Sequence, residues 1–177
     1  MAKGDPMNVP WSVIVPAVDI PITPVVHVLE AGEPERERIR RALDLPGLEH
    51  LSAEIHLKPW FDGTEVTGNW KARFAQTCSI TVERLDQNLS GTFTVRIVPE
   101  GSIHAPTLES ELEVDLEAPD PPDVSPDGSI DIAELVVEHF ALEIDPFPRK
   151  EGVEYTPPEP DPEDSPFAAL QRLRRED

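Results

Sequence analysis

The chain has 177 residues, 38 % of them hydrophobic, with 21 prolines, a single cysteine and a formal net charge of −20. That is enough for one domain with tails and a modest core, and too little for two full domains. One cysteine excludes an intrachain disulfide and an all-thiolate metal site, and the charge repels phosphate backbones and anionic membranes while attracting basic proteins.

The acidity is uneven. Residues 1–98 carry 10 basic and 13 acidic side chains, residues 99–177 carry 5 and 22. A reducing cytosol suits the lone thiol, and the apolar stretch Val13 to Val18 is interrupted by Pro16, which suits neither a signal-peptide core nor a membrane span. The expected location is cytoplasmic.

In chain order, Trp11 to Val15 and Val25 to Leu29 are short β-branched runs bounded by prolines and Gly32, a pattern for strands. From Glu33 to Leu45 acids come early and Arg38, Arg40 and Arg41 come late, ahead of Pro46-Gly47, which predicts a short surface helix. Residues 51–98 read as an antiparallel sheet with a turn at Asp62-Gly63, a long run from Gly68 to Glu83, and a turn near Asn88. In the long run Trp70, Ala72, Phe74, Gln76, Cys78, Ile80 and Val82 form one mostly apolar face.

Leu108 to Glu117 is a further strand candidate. Glu109, Glu111, Glu113, Asp115 and Glu117 fall on one face of it, opposite Leu112, Val114 and Leu116. Same-face neighbours lie about 7 Å apart, where like charges repel by about 0.6 kcal/mol even in water. Such a face favours a cationic partner. Ala118 to Gly128 reads as a Pro/Asp loop, and Asp131 followed by Glu134 has the spacing of a helix start. The helix from Asp131 to Ile144 carries one acidic stripe, Asp131, Glu134 and Glu138, and is otherwise apolar, Leu142 included, so it is expected to lie mostly buried on the sheet. Residues 151–164 have the composition of a disordered acidic linker, and residues 165–177 begin with a capping serine before Pro166 and make one short amphipathic helix.

Catalytic chemistry is not signalled. There is no phosphate-cradling glycine loop, nucleophile elbow or two-histidine zinc motif, and His27, His50, His56, His104 and His139 lie on separate elements. Cys78, on the apolar face of its strand, reads as a small core hydrophobe rather than an activated nucleophile. Arg36, Arg38, Arg40 and Arg41 form one basic cluster that could contact RNA. Their neighbouring acids already account for most of it as helix design, and no aromatic residue is interleaved for base stacking.

Three segments, in order, resemble the YceD-like family of large ribosomal RNA subunit accumulation proteins: Gly68 to Arg73 leading into Gln76 to Glu83; Asp127 to Glu138 ending in Pro146-Phe147-Pro148; and Ser165 to Leu170. The positions carrying the family pattern include Trp70, Cys78, Asp131, Glu134 and Glu138. Many members have a second cysteine where Thr81 stands here, so a zinc or redox role for that pair does not transfer. The resemblance implies a cytoplasmic bacterial factor needed for synthesis, processing or stability of large-subunit (23S) ribosomal RNA, without catalytic residues.

These readings combine into an α+β, mainly β domain over 8–150: an antiparallel, twisted or barrel-like sheet packed by the Asp131 helix, followed by the linker and the terminal helix. The expected activity is ribosome biogenesis by transient binding of a basic large-subunit ribosomal protein. Glu109, Glu111, Glu113, Asp115 and Glu117 would supply the charge, and Phe167 and Leu170 an apolar anchor. The alternative is direct ribosomal RNA binding through Arg36, Arg38, Arg40 and Arg41 with the C-terminal arginines. Neither reading calls for a cofactor, a metal, a membrane or a small-molecule substrate.

Overall fold

The computed structural model describes residues 9–18, 20–106 and 120–155. Within these, the chain runs β1 (Ile14–Pro16), β2 (Val25–Glu30), α1 (Glu33–Ala42), β3 (Gly47–Trp60), β4 (Gly63–Thr77), β5 (Arg84–Pro99), β6 (Asp123–Ser125), β7 (Ser129–Asp131) and α2 (Ile132–Glu143). Strands β2 to β6 form one sheet in sequence order, and β1 pairs with β7 in a second, two-stranded one. The larger sheet is open, so of the two forms expected it is the twisted sheet and not the closed barrel. Its last pair, β5 with β6, is parallel, the one departure from an antiparallel design.

Three long strands dominate because their alternation is well kept. Leu51, Ala53, Ile55 and Leu57 of β3 face the same side as Val66, Trp70, Ala72 and Phe74 of β4, and all are buried. Register is pinned by two reciprocal aromatic–glycine pairs. Trp70 lies opposite Gly91, and Gly68 lies opposite Phe93. A Cβ on either glycine would run into the facing ring, so each glycine makes room for an aromatic ring on the core face. A slip of one residue would break both pairs and turn the apolar face outward.

Helix α2 closes this face. Phe140 meets Trp70 and Phe74 edge to face, with centroids 5.6 and 5.1 Å away, and Ile132, Ala133, Val136 and Val137 are buried with it. Asp131 starts the helix as the spacing predicts. Its Oδ1 accepts hydrogen bonds from the backbone N–H groups of Ala133 and Glu134, both 3.2 Å, and of Val13 at 2.8 Å. One carboxylate therefore caps α2 and fastens the N-terminal strand to it. Helix α1, with Pro34 in its first turn, seals the sheet's other flank through Ile39, which is fully buried.

Several expectations are corrected. The strand expected to run to Glu83 ends at Thr77, and Cys78 to Glu83 make the turn, with Val82 in the left-handed region at φ 60° and 76 % exposed. No turn lies near Asn88, which sits inside β5 opposite Arg73; the residues there that usually mark turns are strand residues on a long, half-exposed strand. β3 begins at Gly47 rather than 51, across an irregularity between Leu48 and His50. The Pro/Asp loop contains the three-residue strand β6, and β7 follows the loop directly, both too short for any alternation to mark. Leu142 is 81 % exposed, on the solvent side of α2. The strand expected at Leu108 to Glu117 and the helix expected over 165–177 lie outside the described residues, as does most of the linker.

Candidate functional site

The residues singled out by sequence fall in three places. The first is α1. Arg36 donates from Nη1 to the Ala31 carbonyl at 2.7 Å, and Arg38 donates from Nε to the Pro10 carbonyl at 2.9 Å and from Nη2 to Glu35. Arg40 forks onto both carboxylate oxygens of Glu37, at 2.8 and 2.9 Å, and also donates to the Leu45 carbonyl. Arg41 donates to the same Glu37 at 2.8 Å. Hydrogen bonding by Arg40, and then by Arg41, holds the Glu37 carboxyl down to about 2. All four arginines are thus engaged within the fold, three of them (Arg36, Arg38 and Arg40) donating to backbone carbonyls, and their guanidinium groups are partly satisfied before any ligand arrives.

The second place is the Cys78 turn at one end of β4. The segment following α2 lies across it: Ser79 N–H donates to the Pro148 carbonyl, Gln76 Nε2 to the Asp145 carbonyl, and Lys150 Nζ to Glu83 at 2.8 Å. Cys78 is buried, yet its Sγ accepts from the backbone N–H groups of Thr81 and Lys150, each 3.4 Å away. Hydrogen bonds from Thr81, then from the Lys150 and Ile80 backbone, hold its thiol down at about 6. So Cys78 is not the passive core residue its alternation implied; it is the acceptor around which the turn and the segment after α2 close. The residues beside it, Thr81 and Lys150, supply no second thiolate or imidazole, so a two-cysteine metal or redox pair does not fit this turn.

The third place is the family motif on β4 and α2. Trp70 is core and Asp131 is the cap, both structural as placed here. Glu134 and Glu138 lie on the exposed stripe of α2, where burial, and after it the Glu138 and Asp131 carboxylates, raise Glu134 above its usual range. Glu109, Glu111, Glu113, Asp115, Glu117, Phe167 and Leu170 lie outside the described residues. The described residues on either side of that segment, Pro106 after β5 and Asp120 before β6, belong to the end of the sheet that carries the β3–β4 hairpin.

At that end sequence reasoning missed a cluster. Trp60 and Phe61 at the β3–β4 hairpin gather with His104, which stacks on Phe61 at 4.0 Å between centroids and 17° between planes. No periodicity joins residues so far apart in sequence; the only signal was two adjacent aromatics beside Asp62-Gly63.

Among the described residues no helix is long and apolar enough to cross a membrane. A family model described as "Large ribosomal RNA subunit accumulation protein YceD" matches residues 66–174. No curated protein matches, and no solved structure does.

Proposed function

Because the chain belongs to the YceD family of large ribosomal RNA subunit accumulation proteins, we propose that it serves that accumulation by stoichiometric, transient binding of a basic large-subunit ribosomal protein, not by catalysis and not by gripping RNA itself. The observation that carries this reading is an asymmetry of charge. The arginines of α1 are met by Glu35, Glu37 and backbone carbonyls, whereas Glu134 on the exposed stripe of α2 is raised by burial and, after it, by its Glu138 and Asp131 carboxylate neighbours. With a formal net charge of −20 the chain has anionic surface to offer, and among the described residues Arg36, Arg38, Arg40, Arg41, Arg84 and Arg96 are already engaged. Opposite charge on a partner speeds encounter, and many weak exposed contacts keep exchange fast and salt-sensitive.

In this reading Glu109, Glu111, Glu113, Asp115 and Glu117 meet lysines and arginines of the partner, and Phe167 and Leu170 supply an apolar anchor. The test replaces the five acids together by lysine and titrates the full chain with purified large-subunit ribosomal proteins. Loss of binding at physiological salt is expected, and binding at wild-type strength would overturn the role of these acids.

A further inference from the structure

The hairpin joining β3 to β4 holds an aromatic side chain that is largely exposed to solvent. Phe61 is the first of two loop residues and sits at φ 51°, a conformation that two-residue hairpins ordinarily give to Gly, Asn or Asp. The residue is 70 % exposed. It meets Trp60 edge to face at 4.7 Å and lies flat on His104 at 4.0 Å. The loop bearing His104 is fixed to the hairpin, because Ser102 Oγ donates to Asp62 at 2.9 Å and accepts from the His104 N–H at 3.0 Å. Ile103 beside it is 91 % exposed.

Charge narrows what such a surface can receive. Arg96 lies over the Trp60 ring, 5.3 Å from its centroid, with Nε 3.3 Å from Glu65. This is a guanidinium held between an aromatic face and a carboxylate, and it already consumes Glu65. Asp120 and Asp123 line one concave surface with Arg96. Asp62 belongs to the hairpin itself, and Glu100 is joined through its N–H to the Ser125 carbonyl at the end of β6. Against these four further carboxylates stands Lys58, opposite Glu65; the other strand cations, Lys71 and Arg73 of β4 and Arg84 of β5, lie further along the sheet towards its opposite end. Aromatic faces attract cations, and carboxylates complete the cradle. The same carboxylates would repel the phosphates of a nucleic acid strand stacking its bases here.

We propose that the exposed Trp60–Phe61–His104 cluster, flanked by Asp62, Glu100, Asp120 and Asp123, docks an arginine-bearing segment of a basic protein partner. The inference rests on the basic-partner reading above and assigns a second contact to it. Guanidinium is the preferred cation, because its planar group stacks on an aromatic ring in a way that ammonium does not.

The test uses the full chain and three probes: a synthetic arginine–alanine peptide, its lysine–alanine counterpart, and a polyuridine oligonucleotide, with binding followed by tryptophan fluorescence and calorimetry. Phe61→Gly is the informative variant, since glycine accepts the left-handed backbone and the fold should melt no lower than the wild type. The wild type should bind the arginine peptide more tightly than the lysine one. Phe61→Gly should weaken the arginine peptide about fivefold, a loss of the size expected for one cation–π contact, and should erase the arginine preference. Unchanged arginine binding in Phe61→Gly, while reversal of the five acids abolishes it, would overturn this inference and leave the basic-partner reading standing. Absence of any peptide binding by the wild type would overturn both. Weakened oligonucleotide binding in Phe61→Gly, with peptide binding untouched, would overturn the assignment in favour of a base-stacking site.

Discussion

The two ends of β4 differ in what they leave unused. At the Cys78 end, turn and strap satisfy each other: the thiol accepts two N–H groups, Ser79 meets Pro148, and Lys150 meets Glu83. At the Gly63 end, Phe61 takes a conformation unusual for its size in order to stand in solvent beside His104. A closed hydrogen-bond network explains itself as structure. An exposed ring on unfavourable backbone does not, and that difference is why the family-marked cysteine end reads as a clasp and the unmarked hairpin as a contact surface.

Disrupting what joins the two ends should have the largest effect. Trp70 is 1 % exposed in mid-strand and packs on Phe140 and over Gly91; Trp70→Ala should cost about 3–5 kcal/mol by urea unfolding, enough to leave a modest core partly unfolded. Asp131→Ala removes an acceptor shared by Val13, Ala133 and Glu134. A loss of about 2 kcal/mol is expected, with Asp131→Asn falling between the two because its side-chain oxygen still caps.

The clasp should announce itself through pH. The Cys78 thiol is held at about 6 against an ordinary 9.0, so its folded-state value is depressed. Its contribution is complete above about 9, and is lost as pH falls toward 6. Urea midpoints of the wild type and Cys78→Ala should therefore diverge progressively as pH is raised through that window, the wild type gaining. Parallel curves would mean that the thiol stays protonated and the turn is held by its backbone bonds alone. The smallest effect belongs to Glu37. Glu37→Gln should lower stability slightly at neutral pH and low salt, with the difference vanishing in high salt and as pH falls from about 4.5 to about 2.

Much of the fold was legible because single elements carry their own signals. The alternation from Trp70 to Gln76, the acids-first order of α1, and the Asp131 cap each depend on residues adjacent in sequence. The errors have a common cause in tertiary demand. Asn88 and Gly91 look like turn residues, yet Gly91 is there to admit the Trp70 ring, a partner twenty-one positions back in the chain. The real turn at Cys78 to Glu83 contains neither glycine nor proline and is held from outside by Pro148 and Lys150. The aromatic corner was illegible for the same reason: neither the approach of His104 to Phe61 nor the sign of the Phe61 φ angle is written in local pattern. The arginine cluster was legible in both senses, since the acids-first order that placed it on a helix also put Glu37 four residues before Arg41, while the Glu37–Arg40 fork was not read.

The central claim is that this family member works through a basic protein surface rather than through RNA. It is tested most directly by titrating the full chain, side by side and over a range of salt, with protein-free large-subunit ribosomal RNA and with purified large-subunit ribosomal proteins. The account predicts saturable, salt-sensitive binding to the proteins and a flat response to the RNA. Tight binding to naked RNA, with a steep salt dependence that shallows when Arg36, Arg38, Arg40 and Arg41 are replaced, would contradict it.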